Sequence, residues 1–99
     1  MTKYKCEKWE LQALLCDFSA EVADGKCKKR LPYRIWKQLK NLDVKEVKIF
    51  DIVESIEFIG KDGTIVEINN SYEEENVEDF MNFTEHWFEL LGSEEKSKN

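Results

Sequence analysis

His86 is the only histidine in the chain, so any chemistry that needs an imidazole beside a nucleophile must be built around it. Hydrolytic arrangements of that kind require a base within hydrogen-bond reach of a hydroxyl or thiol, and a third group to orient the base. His86 falls on the polar side of a helical pattern, next to Glu89 and away from the apolar stripe. No Ser/His/Asp or Cys/His set can be drawn around it. A pH-sensitive contact is its functional reading, and a solvated side chain its ordinary one.

The cysteines offer little more. Cys6, Cys16 and Cys27 are odd in number and widely spaced, without a C-x-x-C pair, so they form no disulfide framework. A zinc site would need all three plus His86, whereas structural zinc sites draw their ligands from close-spaced pairs. Free thiols are the expectation, with no metal and no cofactor. Glu57 and Glu67 face one another across an expected hairpin and could share a proton or hold a cation. Lacking a third ligand, they read as the wet face of an antiparallel sheet. Gly60-Lys61-Asp62-Gly63 lies between two strands, where no helix N-terminus follows to receive a phosphate. The chain is therefore expected not to be an enzyme.

Charge is more informative. The net charge is −6, which disfavours nucleic acid and anionic membrane as partners. The charge is also segregated. Lys26, Lys28, Lys29, Arg30, Arg34, Lys37 and Lys40 follow one another with no acid between them. Tyr33 and Trp36 stand in the same stretch, a mixture of charge and aromatics that single-strand sites use. The basic patch expected there is Lys28, Lys29, Arg30, Arg34, Lys37 and Lys40. The last helical pattern carries only acids, with Glu75, Glu78, Asp79, Glu85 and Glu89 forming a ridge.

The elements that position these groups follow from periodicity and turn chemistry. Leu11, Leu14, Leu15, Phe18 and Val22 mark the inner face of a helix from Lys8 to Ala23. Trp9, Ala13, Cys16 and Ala20 make a nearly opposite stripe, and Asp24-Gly25 ends the helix. Pro32 opens a second helix, with Tyr33, Trp36, Leu39 and Ile35 on its buried side. Val44 to Phe50 reads as a strand. Glu54 to Gly60 and Thr64 to Asn69 form a hairpin whose three-residue loop, Lys61-Asp62-Gly63, pairs Phe58 with Val66, Ile56 with Ile68 and Glu57 with Glu67. A two-residue loop would mix the faces. A capping box, Ser71-x-x-Glu74, starts a long helix from Tyr72 to Leu91, which Gly92 stops. Phe83 and Leu90 widen its apolar stripe beyond what a surface helix needs.

The expected fold is α+β. A small antiparallel sheet of two to three strands, with a central hairpin, is covered by three helices in the order α-α-β-β-β-α. Residues 1–92 form one domain and 93–99 a disordered polar tail. The chain lacks a signal-like start and a membrane span, so the cytoplasm is its default compartment. The function expected is a small acidic protein-binding module, such as a stoichiometric inhibitor, an immunity- or antitoxin-like factor, or a mobile-element accessory protein. Its partner would be another protein, basic in character like a nuclease or nucleic-acid-binding protein, met by the acidic ridge and by Trp9, Ala13, Cys16, Phe83 and Leu90. The alternatives are a homodimer, or a nucleic-acid-binding regulator using the basic segment.

Overall fold

The computed structural model describes residues 1–27, 29–50, 55–69 and 77–94. In chain order these form β1 (Thr2–Lys5), α1 (Lys8–Ala23), α2 (Tyr33–Lys40), β2 (Val44–Ile49), β3 (Ser55–Gly60), β4 (Ile65–Asn69), α3 (Glu78–Leu91) and β5 (Ser93–Glu94). The fold is α+β, but the sheet is larger than expected. It holds four antiparallel strands and a two-residue fifth, ordered β4-β3-β2-β1-β5, and the element order is β-α-α-β-β-β-α-β. Neither added strand carries a readable alternation. Tyr4 is the one buried residue of β1, and β5 is too short to show a period. Both exist through pairing: Thr2 stands opposite Ile49 and Tyr4 opposite Val47, while Lys5 stands opposite Ser93. The sheet thus runs past Gly92 into Ser93 and Glu94, where composition alone begins a tail.

The hairpin takes the register that its apolar pattern requires. Phe58 pairs with Val66, Ile56 with Ile68 and Glu57 with Glu67. Gly63 adopts a φ of +88°, a backbone that glycine reaches without steric cost. The Gly63 N–H donates to the Gly60 carbonyl at 3.0 Å and the Gly60 N–H to the Thr64 carbonyl at 2.7 Å. Asp62 accepts the Thr64 N–H at 3.0 Å, which, with the Thr64 hydroxyl, holds its carboxyl below the usual carboxylate range.

Alternation along the strands buries Val47, Ile49, Ile56, Phe58, Val66 and Ile68 on one face. The helices cover that face. Leu11, Leu14, Leu15 and Phe18 of α1 pack there with Ile35 and Leu39 of α2. α3 adds Phe80, Met81, Trp87 and Phe88, with Thr84 buried beside them, and these apolar residues belong to one core. The ring of Phe80 meets Phe18 edge-on at 5.1 Å and lies 6.4 Å from Phe58, so one residue joins both helices to the sheet. The Thr84 hydroxyl is buried with no hydrogen-bond partner among the described residues.

α1 ends as expected at Asp24, before Gly25 at φ +77°. α3 begins at Glu78 rather than Tyr72, with Val77 as N-cap; the expected capping box, Ser71 to Glu74, lies outside the described residues. Gly92 does more than stop α3. A Cβ there would stand 2.8 Å from both the Tyr4 and Phe88 rings, so only glycine lets the chain pass closely enough to join β1.

Candidate docking surfaces

α1 and α3 share a corner of the sheet. α1 starts just after β1 and α3 ends just before β5, and Lys5 and Ser93 of those strands are paired. The two helices therefore run antiparallel, and their sides lock together. The Trp87 indole N–H donates to Asp17 Oδ2 at 2.9 Å, and Phe18 lies 5.4 Å from Phe83. Of the expected apolar contact residues, Trp9 is 64% and Leu90 69% exposed, and Cys16 is exposed too. Ala13 and Phe83 are half-buried, packed against the edge of the core. Trp9 donates its indole N–H to Glu7 Oε2 at 2.6 Å, an exposed bond that leaves the rest of the ring facing outward.

The acidic ridge is less uniform than its sequence suggests. Glu78 and Glu89 are exposed, whereas Asp79 and Glu85 are half-buried; Glu75 lies outside the described residues. Glu78, Glu85 and Glu89, seven and eleven residues apart, fall on one line of α3 at about 100° per residue. Asp79 sits a quarter-turn away and accepts the Lys29 backbone N–H at 3.0 Å. It therefore fixes the basic loop in place and is not a free member of the ridge.

The basic segment departs most from expectation. Lys28 lies outside the described residues, and Lys29, Arg30, Arg34, Lys37 and Lys40 are exposed as expected. Tyr33, however, is not buried: it is 71% exposed, and Trp36 is only half-buried. The cause is helical geometry. Ile35 and Leu39, four residues apart, supply the inner face of this eight-residue helix. Tyr33 then lies about 200° round from Ile35. Its ring stacks on Trp36 at 6.0 Å and 23°, and Lys40 Nζ lies 4.9 Å from the Trp36 ring centre. Beside this stack runs a groove of about 890 Å³, between Phe18 and Val22 of α1 and Leu31, Pro32 and Trp36, with Arg30 and Tyr33 at its rim.

Elsewhere the titratable groups are placed apart. Glu57 and Glu67 do pair, but on the open face they continue a cross-strand row from Lys3 and Lys48, so lysines stand beside the carboxylates. Among the described residues no three His, Cys, Asp or Glu side chains are grouped to hold a metal ion. The three cysteines are free. Burial, then the charges of Glu10 and Glu7, push the Cys6 thiol up to about 12. Burial, then Asp79 and Glu21, also raise Cys27. His86 is exposed on the outer side of α3. Among the described residues no helix is long and apolar enough to cross a membrane.

Compared with protein-family models, with curated proteins and with solved structures, the chain gives no match to any of the three. The feature that sequence reasoning missed is the exposed Tyr33–Trp36–Lys40 stack. Its signal was there, since the i, i+4 pair of Ile35 and Leu39 is the strongest apolar spacing in so short a helix.

Proposed function

We propose that this protein is a small acidic, non-catalytic binding module that docks a basic partner protein through the outer face of α1 and α3. The observation that carries this reading is the exposure of Trp9 and Leu90 at 64% and 69%, at the same end of a helix pair whose inner faces already fill the core. Tryptophan dominates binding energy where it can be covered, and Trp9 is joined at this end of the helix pair by exposed Leu90 and Leu91. Acids flank them along the chain, Glu7 and Glu10 about Trp9 and Glu89 before Leu90, with Lys5 and Lys8 as the cations nearby in sequence. Such a surround speeds encounter with a basic surface. Inhibitor, immunity- or antitoxin-like factor and mobile-element accessory protein are the roles that suit this chemistry.

The test is capture from native extract by the wild-type protein and by the double variant Trp9→Ala, Leu90→Ala, at low and high salt. A basic protein held by the wild type, lost with the variant and released by salt supports the reading. Equal capture by both proteins removes this face from the argument. A concentration-dependent dimer in light scattering, abolished by the same two substitutions, would instead make a second copy the partner.

A second reading, a nucleic-acid-binding regulator, draws on the exposure of Tyr33 among the cations of α2. Arg30, Arg34, Lys37 and Lys40 would supply phosphate contacts and Tyr33 a stacking surface.

A further inference from the structure

The floor of the α1–α2 groove is aliphatic and aromatic: Val22, Leu31, Pro32 and Trp36. Its rim carries Arg30, which makes no ion pair among the described residues, and beside it Lys40 Nζ lies 4.9 Å from the Trp36 ring centre. Nearby acids are mostly engaged, Glu21 with Lys26 at 4.0 Å and Asp79 with the Lys29 N–H. The walls are held before any ligand arrives. The turn at Gly25 is tied by the Lys26 and Cys27 N–H groups, which both donate to the Glu21 carbonyl, and Asp79 pins the far end of the loop. A volume of about 890 Å³ lies within the roughly 300–1,000 Å³ of ligand-binding clefts.

We infer that this groove takes an acidic peptide segment of a partner protein, with an apolar or aromatic side chain seated on the floor and carboxylates on the rim. Charge complementarity selects the occupant. Carboxylates suit Arg30 and its neighbours, since arginine binds them through paired donors. The greasy floor asks for a side chain that phosphodiester backbone cannot supply. A single nucleic-acid strand fits less well. It would find only Tyr33 to stack on, because Trp36 already carries Tyr33 and Lys40 against its ring, whereas single-strand sites stack successive bases. The groove lies apart from the Trp9 and Leu90 face, so the inference stands or falls independently of the proposed function. If both hold, the domain joins a basic partner to an acidic one.

The experiment is selection from a random library of peptides about 12 residues long, some 18 Å if helical. Wild-type protein is the target, and enriched peptides are then measured by fluorescence anisotropy. Expected are sequences rich in Asp and Glu that contain Phe, Trp, Tyr or Leu. Their affinity should fall about tenfold or more with Arg30→Glu or with Tyr33→Ala, weaken with salt, and stay unchanged with Leu90→Ala. Both rim residues are exposed, so thermal unfolding of these variants should stay close to that of the wild type; Lys40→Glu, at the cation over the Trp36 ring, serves as a replacement if either melts early. No enrichment, enrichment of neutral or basic peptides, or binding indifferent to Arg30 and Tyr33 overturns the inference. So does an oligothymidine of similar length that binds more tightly than the peptides and depends on Tyr33, which would make the groove a single-strand site.

Discussion

α3 and α2 differ in what their aromatic residues do. α3 sends Phe80, Trp87 and Phe88 inward, each at most 8% exposed, and fastens Trp87 to α1 through Asp17. α2 is little more than half as long, meets the core with Ile35 and Leu39, and leaves Tyr33 exposed and Trp36 half-buried. A long amphipathic helix has turns enough to bury its large side chains, and what it exposes lies at its flanks. A two-turn helix buries one pair and presents the rest. The same residue types therefore hold the fold together in α3 and form a surface in α2.

Substitution can break this contrast. Phe80→Ala should cost about 3–5 kcal/mol of unfolding free energy, because the ring joins Phe18 to Phe58 and nothing can collapse into its place. Tyr33→Ala should cost less than about 1 kcal/mol, the value of one exposed ring pair. Urea denaturation of the two variants compares them directly, and similar losses would mean that α2 is as much a structural element as α3.

Asp17→Ala probes the fastening between α1 and α3. It leaves the largely buried Trp87 N–H without its acceptor, a loss of about 1–3 kcal/mol. Asp17→Asn keeps an oxygen in place and should recover most of it. If alanine costs nothing, the 2.9 Å bond is incidental and ring packing alone aligns the helices.

A further small effect is alkaline. Cys6 is 2% exposed, and its thiol is pushed up from 9.0 to about 12. The unfolded chain releases this proton first. Stability is therefore full below pH 9.0 and falls as pH rises toward about 12. By about pH 10 the wild type should have lost about 1 kcal/mol more than Cys6→Ala, relative to neutral pH. Parallel pH profiles for the two proteins would show that the thiol is not shielded. Thiol labelling gives the same comparison as a rate, with Cys16 first, Cys27 later and Cys6 only on unfolding.

Much of this architecture was legible in the chain. Leu11, Leu14, Leu15 and Phe18 declare α1 through their spacing, and Asp24-Gly25 declares its end. The pattern around Lys61-Asp62-Gly63 selects one hairpin register, because any slip moves Ile56 and Phe58 to the wet face. These are local signals, carried by residues within a turn or a strand of one another. The candidate surfaces were partly legible: the exposure of Trp9 and Leu90 follows from an excess of apolar flank over available core.

Long-range pairing decided the rest. Met1 to Lys5 carries no period, and becomes β1 only because β2 offers it an edge some forty residues away. Tyr33 and Trp36 have the side chains of core residues, and only the seating of Ile35 and Leu39 against the sheet turns them outward. Asp79 looks like one acid among several until the loop at Lys29 folds back onto it. Sequence by itself determined the three helices, the central strands β2 to β4 and which of their faces are apolar, since those depend on the period of the pattern. Tertiary structure alone decided which apolar face is covered and which charge is engaged, since burial belongs to the neighbours that arrive and not to the residue.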